Sequence, residues 1–228
     1  NFTLYNSKLF FTAIGRLDEQ QGKIWSYDAK SKQRALIVSS SAVDGAVSHL
    51  QVFDNKLYFA VNSNNKGSLW YYDSETQHTA EVTSIDSKEI DKLIPWGDEL
   101  FIILRVATSE FNGQLFKLNK DEGKLEATPS LSLASSEVEL YNDQLYFIKT
   151  ISEEENELWS YNKHNNEQVI ISKALSSDSP MQVHQGELFF CDKFLWNDDG
   201  TSSQSTWTYQ SETQLTLKVS DACIRDFV

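Results

Sequence analysis

The side chains of this 228-residue chain that could do chemistry are few and spread along its length. Four histidines, His49, His78, His164 and His184, could act as general bases or metal ligands, and three carboxylates, Asp91, Glu137 and Glu139, could form the acid and base pair of a glycoside hydrolase. A second kind of candidate is the run Phe194-Leu195-Trp196-Asn197-Asp198, where two rings stand beside polar groups able to orient a ligand. Arg105 and Phe111 offer the same residue types earlier in the chain. Asn197-Asp198-Asp199-Gly200 has the composition of a cation loop but lacks the alternating ligands and distal Glu of an EF-hand, so it reads as a turn. Cys191 and Cys223 are the only cysteines, too few for a disulfide framework and without the spacing of a metal knuckle.

The elements that must position these residues repeat. A strand headed by Leu recurs as Leu9-Phe10-Phe11, Leu57-Tyr58-Phe59, Leu100-Phe101-Ile102, Leu145-Tyr146-Phe147 and Leu188-Phe189-Phe190, with separations of 48, 43, 45 and 43. A second signature follows each one: Ile24-Trp25-Ser26-Tyr27, Leu69-Trp70-Tyr71-Tyr72, Leu115-Phe116-Lys117-Leu118, Leu158-Trp159-Ser160-Tyr161 and Thr206-Trp207-Thr208-Tyr209. Four residues before each leading Leu stands a ring, Tyr5, Phe53, Trp96, Tyr141 and His184, separated from it by turn formers such as Asp54-Asn55 and Asn142-Asp143. Polar turns and a short apolar run close each period, giving four strands, a to d. Four short antiparallel strands per period, apolar on both faces, predict an all-β five-bladed β-propeller. The repeats run over about 1–46, 47–89, 90–134, 135–177 and 178–223 of one domain. Residues 224–228 enter a closing strand, with Phe227 the counterpart of Phe2, so the termini are expected to meet in one blade; the rival reading is a fragment of a larger ring.

The periods resemble the ELWxxDGT-type repeats of bacterial surface and secreted proteins, and more loosely those of the TolB and prolyl-oligopeptidase type, through Leu57-Tyr58-Phe59 followed by Leu69-Trp70-Tyr71-Tyr72-Asp73 and through Glu157-Leu158-Trp159-Ser160-Tyr161-Asn162. Asp-Gly-Thr does not follow the Trp strand, and its one occurrence, Asp199-Gly200-Thr201, falls elsewhere. The resemblance implies a propeller fold and a secreted, periplasmic or cell-surface setting, and no reaction.

In this frame the histidines fall in unrelated places, and no nucleophile elbow, zinc helix, P-loop or dinucleotide fingerprint occurs, so neither an enzyme nor a cofactor is expected. His184 takes a ring position and reads as a packed imidazole. The tryptophans Trp25, Trp70, Trp159 and Trp207 recur with the strand period and read as fully packed blade core rather than sugar platforms. A formal charge of −13, from 33 acidic against 20 basic residues, opposes a nucleic-acid partner, and no apolar run is long enough for membrane insertion. The connections joining strand b to strand c, at 12–23, 60–67, 105–114, 150–156 and 191–205, share neither length nor residues. Divergent loops on a repeating scaffold point to one asymmetric surface that binds a protein or peptide. The expected ligand residues are Phe194, Trp196, Asn197, Asp198, Arg105 and Phe111, at the end of the blades carrying these loops. A single-site lectin and a five-bladed glycosidase using strand-a carboxylates are the alternatives. Cys191 and Cys223 fall at the same end of the fifth repeat, where a bridge is open to them if the backbones come within about 7 Å.

Overall fold

A computed structural model describes residues 2–14, 22–39, 42–105, 113–134, 137–152, 155–176, 179–193, 195–196 and 202–224, and among these there is no helix. Blade 1 is β1 (Phe2–Tyr5), β2 (Lys8–Ile14), β3 (Gly22–Asp28) and β4 (Gln33–Val38); blade 2 is β5 (Ala46–Phe53), β6 (Lys56–Ser63), β7 (Lys66–Asp73) and β8 (His78–Ile85). Blade 3 is β9 (Glu89–Trp96), β10 (Glu99–Arg105), β11 (Gly113–Asn119) and β12 (Lys124–Leu133); blade 4 is β13 (Val138–Tyr141), β14 (Gln144–Thr150), β15 (Asn156–Asn162) and β16 (Glu167–Leu175). Blade 5 is β17 (Met181–His184), β18 (Glu187–Cys191), β21 (Thr206–Gln210) and β22 (Leu215–Ser220), with a separate two-stranded ladder, β19 (Leu195–Trp196) and β20 (Ser202–Ser203), between its strands b and c. Five sheets of four antiparallel strands in chain order make the protein a five-bladed β-propeller. The registers repeat: Phe11 faces Trp25, Phe59 faces Trp70, Phe147 faces Trp159 and Phe190 faces Trp207.

Local chemistry fixes the turns. Strands a and b are joined by two residues in the left-handed region, Asn6 and Ser7 (φ 46° and 61°), Asp54 and Asn55 (48° and 54°) and Asn142 and Asp143 (46° and 56°). This is the backbone of a type I′ turn, whose twist matches that of the strands, and Asn and Asp enter it at least cost. Strands c and d are joined by an Asx turn: Asp28 Oδ1 accepts from the amides of Lys30 and Ser31, Asp73 Oδ1 from those of Glu75 and Thr76, and Asn119 Oδ1 from those of Asp121 and Glu122. Four residues after each, at Lys32, Gln77 and Gly123, the chain turns left-handed before re-entering a strand.

The chain divides into two compact units, Asn1–Glu110 with Gln114–Ser130, and Phe111–Gly113 with Leu131–Val228. In the first, Tyr5, Phe10 and Ile24 of blade 1 share a core with Leu50, Leu57, Phe59 and Tyr72 of blade 2. Phe53, Tyr58 and Leu69 on the other face of blade 2 do the same with Ile90, Leu100, Ile102 and Leu118 of blade 3. In the second, Tyr141, Tyr146 and Leu158 of blade 4 meet Met181, Leu188, Phe190 and Tyr209 of blade 5. The core therefore lies between sheets. Burial pushes the Tyr58 phenol up to about 12 and raises that of Tyr146 as well, so both stay neutral.

Polar contacts repeat with the same order. Tyr5 Oη donates to the Asn55 carbonyl of the next blade at 2.7 Å, and Tyr141 Oη to that of Gly186 at 2.8 Å. Asn6 Nδ2 donates to Ser74 Oγ and Asn142 Nδ2 to Ser211 Oγ, joining an a–b turn to the c–d turn of the following blade. Between blades 2 and 3 the same link is ionic, Lys120 to Asp54 at 3.2 Å. At the opposite end of that contact Asn62 clasps the Ile90 backbone in both senses, at 2.8 and 3.0 Å.

Four expectations need correction. Trp25, Trp70, Trp159 and Trp207 are only partly buried, and the sealed strand-c side chains are their neighbours Ile24, Leu69, Leu158 and Thr206. The indole N–H needs a partner, and here it finds one at the edge of the blade: Trp70 stacks on Phe59 and donates to Ser68 Oγ at 2.8 Å. The connection at 60–67 is no long loop, because β6 and β7 run on to a two-residue turn, Asn64-Asn65. The connection at 191–205 contains its own ladder. Ile224 is described outside any strand, and Phe227 lies outside the described residues.

Leu69→Ala should cost about 3 kcal/mol and Trp70→Ala about 2 kcal/mol, since only the first empties a sealed site. Urea unfolding of the two variants checks this, and a larger loss at Trp70 contradicts the ordering.

Candidate functional site

The fifth b-to-c connection is presented on a braced base. Asp192 follows the last residue of β18, and its amide donates to the Ser205 carbonyl at 3.0 Å. Its carboxylate accepts from the Ser205 amide at 2.6 Å through Oδ1 and from Trp207 Nε1 at 3.1 Å through Oδ2, while its carbonyl accepts from Gln204 Nε2 at 2.9 Å. One residue thus ties both ends of the connection to the ring of strand c. Cys191, buried, is bridged to Cys223 with Cα atoms 5.6 Å apart across 32 residues. The buried Thr206 hydroxyl donates to the Ala222 carbonyl at 2.7 Å and accepts from the Ile224 amide at 2.8 Å, which fixes the segment after β22 to the same base.

Between the two ends of the connection the described residues form the β19–β20 ladder, with Leu195 opposite Ser203 and Trp196 opposite Ser202. Trp196, expected as a ligand residue, therefore sits on a strand. Phe194, Asn197 and Asp198 lie outside the described residues, as does Phe111 of the third connection. Asp192 was not legible as a functional residue. In blades 2 and 4 the indole N–H is received by the residue two before the Trp, Ser68 or Glu157, whereas in blade 5 the acceptor comes from across the strand pair.

Arg105, the other described ligand candidate, ends β10 at the corresponding end of blade 3. Its Nη2 stands 2.9 Å from Glu89 Oε2, and its Nε stands 2.9 Å from Asp91 Oδ1, an ionic contact whose angle falls short of a hydrogen bond. Glu89 and Asp91 are two residues apart on strand a and so share a face, which places both carboxylates against one guanidinium. Asp91 Oδ2 is buried without a hydrogen-bond partner among the described residues. His49, at a register break in β5 and in the left-handed region (φ 53°), lies within the field of this cluster. Burial holds its pKa below the ordinary value, Asp91 opposes that shift, and Lys92 and Arg105 add to it.

Arg105 is therefore a cation already engaged by two carboxylates, which leaves it less charge to offer a ligand than its residue type suggests. The strand-a carboxylates of the glycosidase reading stand apart in kind: Asp91 pairs with Arg105 in the first unit, and Glu137 and Glu139 belong to the second. Among the described residues no group of three or more His, Cys, Asp or Glu side chains is gathered as metal ligands are. A polar recess of about 280 Å³ opens at this end of blade 2, between Asp44, Ser63, Lys66, Glu81 and Ser84, and Lys66 there is paired with Asp86 at 2.9 Å.

No family model and no curated protein sequence matches the chain. Solved structures do. TolB from Acinetobacter baumannii aligns over 96% of this chain and 53% of its own, at 12% identity and a TM-score of 0.54. An oligogalacturonate lyase in complex with manganese aligns over 93% and 61%, at 12% and 0.62, and a puromycin-hydrolyzing peptidase of Mycobacterium tuberculosis over 100% and 38%, at 8% and 0.63. The chain thus spans about two fifths to three fifths of these proteins, and at such identity the likeness is one of propeller fold alone.

The bridge closes a 32-residue loop, so Cys223→Ala should lower stability by about 3 to 4 kcal/mol, and the unfolded, unreduced protein should titrate no free thiol. For His49, a pKa below the ordinary 6.5 means that the unfolded chain takes up this proton first as the pH falls. Its contribution is intact above that value and is lost below it. Urea midpoints measured between about pH 7.5 and 5.5 should fall, and His49→Gln should flatten the slope; an unchanged slope would show that the ring is not buried neutral.

Proposed function

We propose that this propeller is a non-catalytic binding module and that it takes a protein or peptide through the 192–205 hairpin of blade 5. The observation that carries the reading is the braced hairpin itself. It adds nothing to the blade's own sheet, yet Asp192, the Cys191–Cys223 bridge and Thr206 all serve to hold its base. A base held in place lowers the ordering cost of what it carries, and in the sequence Trp196 with the neighbouring Phe194, Asn197 and Asp198 supplies the anchor and polar types that recognition uses. Arg105 and Phe111 occupy the corresponding connection of blade 3, where the Glu89 and Asp91 carboxylates orient the guanidinium.

Fold likeness supports a propeller that in other proteins serves both TolB and enzymes, so the non-catalytic reading rests on this chain's own residues. Asp91, one of the few strand-a acids, is occupied by Arg105 rather than poised across a scissile bond. A disulfide suits an oxidising compartment, which supports a secreted, periplasmic or surface location.

Screening the protein in parallel against a displayed peptide library and a glycan array tests the reading. Phe194→Ala with Trp196→Ala should weaken binding of a selected peptide by about thirtyfold or more while leaving the melting temperature nearly unchanged. Saturable glycan binding without a peptide ligand would move the assignment to a single-site lectin, and a double variant that melts early yet binds normally once folded would make the hairpin structural.

A further inference from the structure

We propose that the polar recess on blade 2 is a binding site for one neutral sugar ring, built from residues other than those of the blade 5 connection and independent of the reading given to that connection. The recess originates in one row of the repeat. Two residues beyond the Phe–Trp pair, toward the b-to-c end, strands b, c and d set three side chains abreast on one face: Lys149, Glu157 and Lys173 in blade 4, and Val61, Ser68 and Ser84 in blade 2. In blade 4 the row is closed. Lys149 Nζ lies over the Trp159 ring at 4.5 Å, Trp159 Nε1 donates to Glu157 Oε2 at 3.0 Å, and Lys173 Nζ stands 3.3 Å from Glu157 Oε1. In blade 2 the indole N–H of Trp70 is met by Ser68 Oγ at 2.8 Å, and with two serines in place of long charged side chains a recess of about 280 Å³ is left open.

Its wall is held in place. Asp44 lines the recess from the segment that joins blades 1 and 2, and Val43 beside it is buried in the core those blades share. The segment lies hard against β6: a Cβ on Gly45 (φ 152°) would come within 2.7 Å of the Asn62 carbonyl oxygen and 2.9 Å of Val61 Cγ1, so only glycine fits.

The lining selects the ligand. Asp44, Ser63, Glu81 and Ser84 make no side-chain hydrogen bond or ion pair among the described residues, and the lining cation, Lys66, is paired with Asp86 at 2.9 Å. Carboxylates only accept, so the ligand must bring donors, while the two serine hydroxyls also donate and are matched by a ligand that accepts as well. Sugar hydroxyls do both. An ammonium donates only, and an acidic sugar or a phosphate meets two carboxylates of its own sign. A volume of about 280 Å³ stands at the small end of ligand pockets and has room for one ring rather than a chain.

Amide NMR spectra of the isotope-labelled protein, titrated with the methyl glycosides of glucose, galactose and mannose and with galacturonate, test the site. At least one neutral glycoside should shift the signals of 63–68 and 81–84 saturably, and galacturonate should bind at least about tenfold more weakly. Ser68→Glu with Ser84→Lys rebuilds the blade 4 row, its carboxylate placed to receive Trp70 Nε1 as Glu157 receives Trp159, and should abolish the response while the melting temperature is kept. If that variant fails to fold, Glu81→Gln, at an exposed side chain, should weaken binding about tenfold in its place. Phe194→Ala with Trp196→Ala should leave the response unchanged, which separates it from binding at blade 5. The absence of a saturable shift with every neutral glycoside overturns the proposal. So does a response that survives the filled row, one that is lost with Phe194 and Trp196, or equally tight binding of galacturonate or ethanolamine in the recess.

Discussion

The fold rests on apolar burial between sheets. A single four-stranded blade has no interior: Leu57 and Phe59 point to one neighbour while Tyr58 and Leu69 point to the other, and neither set is out of water until a second sheet arrives. Strand patterning, turn chemistry and the inter-blade tyrosines all follow from this need to be apolar on both faces. It explains how a chain with only 40% hydrophobic residues can seal so many aromatic side chains, since each ring is shared by two sheets.

Much of this was legible because it is periodic. The type I′ turns announce themselves as Asn and Asp pairs, and the rings before them mark where strand a ends. The buried Leu at the head of strand b recurs in every period, although Leu9 in blade 1 is only partly covered. What escaped is what periodicity cannot carry. The strand-c tryptophans look like core because they recur, but recurrence fixes register and not depth, and the sealed positions belong to the aliphatic residues beside them.

The candidate site shows the same limit. Phe194 and Trp196 stood out as rings with no counterpart in other repeats, whereas Asp192 did not, since a lone Asp after a strand has the look of an ordinary turn residue. Its importance appears only when Ser205 and Trp207, 13 and 15 residues on, come back to it. Arg105 was noticed for its type, but its partners Glu89 and Asp91 lie 16 and 14 residues away on a different strand. Charge on a side chain is visible in a sequence; whether that charge is already spoken for is a matter of pairing.

The links between blades have a direction. Tyr5, Asn6, Asn62, Tyr141 and Asn142 each reach toward the blade that follows in the chain. A repeat unit so built carries the leading half of one junction and the trailing half of another, as a bead carries both a hook and an eye. Copying such a unit within a gene, or excising one, rejoins a hook to an eye at the new seam without altering either neighbour. Such a unit can therefore be added or removed in a single genetic step with both kinds of junction kept whole.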